Sequence, residues 1–213
     1  FAGPGQIGSL SLVERIHLAV DDDAVKAIVL RVNSGGGSKT ASEIIRQSLL
    51  AVQADDIPVV ASFGGVAASG GYWISASADK IFAANTTITG SIGIFGVIPT
   101  FERTLDRYGI TTDGVSTTPL AAAASIERGI SPAFAELIQA NIEAGYTQFI
   151  EMVAESRGMS VEAVDNIAQG RVWTGAAAKE MGLVDEIGEL QAAIDAAAEL
   201  AELADFDVWH VEP

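Results

Sequence analysis

Within its N-terminal third this chain twice runs a β-branched segment into a glycine-rich corner and out into a helical pattern, and that repeat narrows the folds open to it. The first pass is AIVLRV (27–32), the turn VNSGGGS (32–38), and helical spacing over 39–53 at Ala41, Ile44, Ile45 and Leu49. The second is IPVVASF (57–63), the corner within ASFGGVAASGG (61–71), a short helix to about Ser77, and a further strand over 80–84. Repeated strand, turn and helix build a mostly parallel sheet, because right-handed crossovers return each strand in the same sense. Both corners then fall at strand C-termini on one edge of the sheet, where α/β proteins carry their sites.

At the second corner Ser69 sits among small residues, with Gly70 and Gly71 directly after it. A nucleophilic serine projects from such a tight strand-to-helix turn, where glycines admit substrate backbone and the helix start favours developing negative charge. Ser69 is therefore the candidate nucleophile. The VNSGGGS turn is able to bring backbone N–H groups to the same place as an oxyanion hole. Taken alone, that turn is equally well an ordinary tight turn. It is neither GxGxxG nor a phosphate loop with its Lys-Ser/Thr, so nucleotide binding is disfavoured.

Helical spacing is expected over 10–20, then a small-residue turn at TGSIGIFG (89–96) containing the hydroxyl of Ser91, a short helix over 101–108 and a strand-like stretch over 110–115. Ser131 before Pro132 reads as the cap of a long helix reaching about Arg157, with Phe134, Leu137, Ile138, Ile142, Tyr146, Phe149, Ile150 and Val153 along one packing face. A turn-rich passage, GRVWTGAAAKEMGLVDEIG, leads to an Ala-rich amphipathic helix over 189–203. No linker or charge block divides residues 1–213, and one domain is expected.

With 49% hydrophobic residues in 213, the chain is able to bury a sizeable core. Its formal charge of −16 argues against nucleic acid as a partner, since that affinity comes from clustered Lys and Arg. Two uncharged runs, 57–78 and 81–101, are long enough to raise the question of a membrane span, yet Pro58, Pro99 and frequent Gly and Ser mark them as buried strands and short helices. The opening FAGPGQIGSL has no basic or apolar leader pattern, and the abrupt start suggests a fragment. Zero cysteines exclude thiolate chemistry, and no HExxH or clustered Asp/His/Glu spacing suggests a metal.

A serine nucleophile needs a base. The candidates are His17, His210, Lys26, Lys39, Lys80 and Lys179. His17 lies on a packing helix and His210 near the end of the chain, which disfavours a Ser-His-Asp triad. A lysine kept neutral by burial is the other route, and none of the four sits in an obviously apolar run.

VLRVNSGGGS, ASFGGVAASGGYWISASADKIFAANTTITGSIGIFG, DGVSTTPLA and GRVWTGAAAKEMGLVD together resemble the signal peptide peptidase A family, serine peptidases with a Ser/Lys dyad. The resemblance covers almost the whole chain. It implies an α/β fold like those of the Clp protease subunit and the crotonases, built of repeated ββα units, with no cofactor. It places the nucleophile on Ser69, the oxyanion donors on Gly36 or Gly37 and on Gly70, and a lysine-orienting hydroxyl on Ser91. Gly35 departs from the proline common in the family. The larger departure is the lysine: the region where short members carry it reads STTPLAAAAS here.

In long, two-half members the serine lies in the C-terminal half and the lysine in the N-terminal half. This chain resembles that C-terminal half, so the general base is expected from outside it. The resemblance further implies degradation of signal peptides or other apolar peptides, a homo-oligomer (a tetramer), and a membrane-anchored protein of the bacterial inner membrane whose soluble part faces the periplasm. Two other readings compete: a non-catalytic peptide-binding or assembly module of the same fold, supported by the absent lysine, and a crotonase-type acyl-CoA enzyme.

Overall fold

The computed structural model describes residues 6–118, 121 and 123–211; the first five residues of the FAGPGQIGSL segment, and Pro119 and Leu120 of the DGVSTTPLA motif, lie outside them. Two compact units form. One comprises the residues up to Gly93 together with those from Phe149 onward, and the other is Ile94–Gln148.

The first unit opens with α1 (Ser9–Val20), then β1 (Ile28–Ser34), α2 (Lys39–Ala54), β2 (Val59–Ala68), α3 (Gly70–Ser75), β3 (Lys80–Ala83) and β4 (Ile88–Gly90). The second unit holds α4 (Glu102–Arg107), a pair of two-residue strands, β5 (Ala124–Ser125) and β6 (Gly129–Ile130), and the start of α5 (Pro132–Arg157). The chain ends in the first unit with α6 (Val161–Ile167), β7 (Val172–Thr174), α7 (Gly175–Glu180), β8 (Glu186–Ile187) and α8 (Leu190–Leu200).

Among the described residues the main sheet has six strands, and β2 is its spine. β1 lies parallel along one edge of β2. The other edge is shared: β3 pairs parallel with Val60–Ser62 and β4 parallel with Val66–Ala68. β8 extends the sheet beyond β3, and β7 closes it antiparallel to β4. Because side chains alternate faces along a strand, Val59 packs with Ile16, Ile45, Leu49 and Val52 of α1 and α2, while Val60 packs with Phe82 and with Ala193, Ala196 and Ala197 of α8. Helices thus cover both faces, and β2 is apolar on both.

Three elements differ from expectation. β2 does not stop at Phe63 but crosses Gly64 and Gly65 to Ala68. Its register against β1 shifts there, where Val32 faces Phe63 but Ser34 faces Ala67. Asn33 Oδ1 accepts from the Val66 amide (3.2 Å) and the Thr87 hydroxyl donates to the Gly64 carbonyl (2.8 Å), so side chains hold the strand where glycine alone would free it. Residues 110–115 form no strand: Ile110 is half exposed and Val115 wholly so, and no neighbouring strand pairs with them. The passages read as turns contain short strands, β4 at the start of TGSIGIFG and β7 and β8 around α7.

The long helix begins as expected, with the Ser131 hydroxyl accepting from the Phe134 amide (3.2 Å). Its burial is uneven: Leu137 is more than half exposed, whereas Phe149, Ile150 and Val153 are buried.

Candidate active site

β2 delivers its chain into α3 through a single residue. Ser69 has φ 52° and ψ −119°, a region that L residues rarely occupy, and it sits between an extended Ala68 and the first residue of a helix. Such strain persists only where surrounding bonds over-determine it. Here the Ser69 amide donates to the Gly90 carbonyl (2.9 Å) and the Ser69 carbonyl accepts from the Trp73 amide (2.9 Å). The half-buried hydroxyl makes no capping bond to α3, so Oγ is left for other chemistry.

The glycine turn after β1 lies against this corner. Gly36 has φ +103°, and a methyl built on it would stand 2.6 Å from the Gly70 nitrogen and 2.7 Å from Ser69 Cβ. Reciprocally, a methyl on Gly70 would stand 3.0 Å from the Gly37 nitrogen and 2.6 Å from Ser42 Oγ. The turn and the corner therefore touch backbone to backbone, a distance only glycine permits. The Gly36 amide donates to Ser34 Oγ (3.2 Å), whereas the amides of Gly37 and Gly70 have no hydrogen-bond partner among the described residues. Gly70 is the first residue of α3, and an N–H in the first helical turn has no carbonyl within its own helix to bond.

Ser91 stands beside Ser69. Ala68 pairs with Gly90 in the β2–β4 register, so both strands end at the same level, and Ser91 leaves with φ 50°, nearly the angle of Ser69. Its amide donates to the Arg171 carbonyl (2.7 Å), which fixes the second corner to the chain leading into β7.

The possible bases are scattered. Lys80 pairs with Val60, nine residues before Ser69 on β2, which is about 30 Å along a strand; its ammonium lies 3.6 Å from Glu186 Oε1. Lys26 is exposed ahead of β1, at that same far end, and Lys179 is exposed on α7. Lys39 opens α2 directly after the glycine turn, half-buried and with an interaction of its own. His17 Nε2 lies 3.3 Å from Ser48 Oγ, well along α2, and His210 is exposed in the C-terminal segment. Residues 94–148 contain no lysine.

Behind the corner, sequence reasoning passed over one carboxylate. Glu43 of α2 accepts from Trp73 Nε1 (2.6 Å), Arg46 Nε (2.9 Å) and Nη2 (2.8 Å), and Gln47 Nε2 (2.7 Å). The Arg46 hydrogen bonds, joined by those from Gln47 and Trp73, hold its carboxyl far below the usual range, at about 2, against the opposing effect of burial. The signal available was its helical spacing: Glu43 and Gln47 are one turn apart, and Arg46 lies between.

No group of three or more His, Cys, Asp or Glu able to hold a metal occurs among the described residues, and no helix there is long and apolar enough to cross a membrane.

The sequence pattern of peptidase family S49 matches residues 51–204. Protease 4 of Salmonella typhi is 51% identical over 98% of this chain, and protease 4 of Haemophilus influenzae is 48% identical over 91%. A protein of Enterococcus faecium provisionally named signal peptide peptidase SppA is 37% identical over 88%. The chain spans 33%, 31% and 55% of the lengths of these three relatives. With a Clp protease/crotonase-like arrangement of strands and a serine corner at the sheet edge, the chain belongs to peptidase family S49.

Proposed function

We propose that this chain is the nucleophile-bearing part of a serine endopeptidase that degrades cleaved signal peptides and similar apolar peptides. One observation carries the reading: the strained Ser69 corner leaves Oγ uncapped beside the amides of Gly37 and Gly70, which have no hydrogen-bond partner among the described residues. In the proposed reaction Oγ attacks the scissile carbonyl while a base takes its proton. The resulting oxyanion is held by the amides of Gly37 and Gly70, with Gly36 shaping the turn that aims them. Collapse expels the amine, which receives the proton back from the base, and water then hydrolyses the acyl-enzyme through the same steps.

The base is a lysine supplied by an upstream half of the same protein, oriented by the Ser91 hydroxyl. What supports this is the position of Lys80 and Lys26 at the far end of the sheet and the lack of lysine in residues 94–148. The name of the Enterococcus faecium relative favours the signal-peptide substrate. The reading extends to a membrane-anchored homo-oligomer of the bacterial inner membrane, working on the periplasmic side.

The same missing lysine favours a second reading, a peptide-binding or assembly module without turnover. A fluorophosphonate probe separates the two. An adduct on Ser69 in the protein containing both halves, absent from Ser69→Ala, supports the peptidase; a protein that turns over an apolar peptide ester equally well after Ser69→Ala defeats it. For the isolated chain the expected result is a folded protein with turnover barely above background, restored by adding the upstream half. Brisk Ser69-dependent turnover by the isolated chain would transfer the base to Lys39.

A further inference from the structure

Resting on the assignment of Ser69 as nucleophile, we propose that Glu43 is a positioning residue that fixes the nucleophile corner against the oxyanion turn. The two halves of the site belong to different strand–helix units. The glycine turn runs into α2, and Ser69 runs into α3. Contact between them at Gly36 and Gly70 is backbone against backbone, which excludes closer approach but offers no bond to prevent sliding.

Glu43 supplies the bond. It lies on α2 one residue after Ser42, whose hydroxyl sits over Gly70. Its carboxylate takes the indole N–H of Trp73, and Trp73 is the residue whose amide donates to the Ser69 carbonyl. The indole is itself immobile: Trp73 is 1% exposed and packs on Phe149 with ring centroids 4.4 Å apart. A chain of directional contacts therefore runs from α2 through Glu43 and Trp73 to Ser69. Arg46, which binds both oxygens of the carboxylate, also donates to Ser77 Oγ (3.0 Å), tying the same cluster to the residues after α3. Charge-assisted bonds in a partly buried network define position more sharply than apolar packing does.

The test uses Glu43→Asp, Glu43→Gln, Trp73→Phe and the double variant Glu43→Asp/Trp73→Phe in the protein containing both halves. Glu43→Asp keeps the charge beside Arg46 but draws the carboxylate away from Trp73. It is expected to lower kcat about 10- to 100-fold with KM nearly unchanged, the loss that follows a misplacement of up to about 1 Å. Glu43→Gln keeps an acceptor for the indole and should retain more of kcat than Glu43→Asp. Trp73→Phe should repeat the Glu43→Asp loss, and the double variant should be no worse than either single one, because both break the same link.

A fall in Tm with kcat unchanged in the folded protein, or losses that add in the double variant, would overturn the proposal. In ¹H–¹⁵N spectra of the 213-residue chain, Glu43→Asp should also move the Gly37 and Gly70 amide resonances; if they stay, the coupling is refuted whatever Ser69 does. If they move while Ser69→Ala keeps full turnover, the coupling stands and the nucleophile assignment falls.

Discussion

Replacing Gly36 by alanine tests whether contact between the two corners sets the chemistry. The added methyl would meet the Gly70 nitrogen at 2.6 Å, Ser69 Cβ at 2.7 Å and the Ala68 carbonyl oxygen at 2.9 Å. None of these atoms swings away by a side-chain rotation of its own. Restoring an ordinary contact of 3.4 Å to the nitrogen requires about 0.8 Å of backbone displacement. Alanine at φ +103° adds strain of about 1–3 kcal/mol. Displacement on this scale at an oxyanion site corresponds to a loss of about 100-fold or more in kcat. Gly35→Ala is the control, because nothing lies within 4 Å of its added methyl; its stability should change by less than about 0.5 kcal/mol. The assay is kcat on an apolar peptide ester in the full-length protein, with Tm alongside. Gly36→Ala with wild-type kcat and Tm would refute the idea that the turn and the Ser69 corner work as one site.

Ser69→Ala should keep Tm while removing nearly all catalysed turnover, on the order of a million-fold by comparison with a serine protease, measured as loss of both hydrolysis and fluorophosphonate labelling. Ser91→Ala should slow turnover without abolishing it and shift the pH–rate profile; an unchanged profile would make Ser91 a packed hydroxyl. Thr89 is fully buried and donates to the Ala67 carbonyl (2.7 Å), so Thr89→Val should cost about 1–3 kcal/mol by denaturant unfolding. Glu43 is depressed to about 2, so its stabilisation is complete above its unfolded value near 4.5 and lost as pH falls toward 2. After screening by the solvent that reaches it, the contribution is about 1–2 kcal/mol. The difference in unfolding free energy between wild type and Glu43→Gln should therefore shrink between pH 5 and pH 2; a constant difference would contradict it.

The helices and the two corners were legible because local rules govern them: β-branched runs, glycines at turns, and Ser131 before Pro132 each specify their own few residues. What escaped reading depends on distant partners. Gly64 and Gly65 look like a strand end, and partners remote in sequence, Asn33, Thr87 and the paired β4, carry β2 past them. Residues 110–115 open with the β-branched Ile110, Thr111 and Thr112 but have no strand to join, so local composition alone misled. β7 and β8, with three and two residues, are too short for alternation to register. The possible bases were indistinguishable by chain distance, and only the pairing of Lys80 with Val60 sets that lysine at the opposite end of the sheet. Glu43 has no sequence signal beyond its helical spacing to Gln47, since its bond to Trp73 crosses between units of the repeat.

The shared edge of β2 bears on how this protein fails. β3 and β4 occupy successive stretches of one strand edge, and the Ser69 amide continues that ladder by bonding Gly90. A segment clamped on both sides has no inexpensive way to fray, so its amides should exchange with solvent only as fast as the whole unit opens. The strained serine is then lost only when the unit is lost. Heat inactivation and unfolding should follow one curve, with no interval of temperature in which an intact fold carries a collapsed corner.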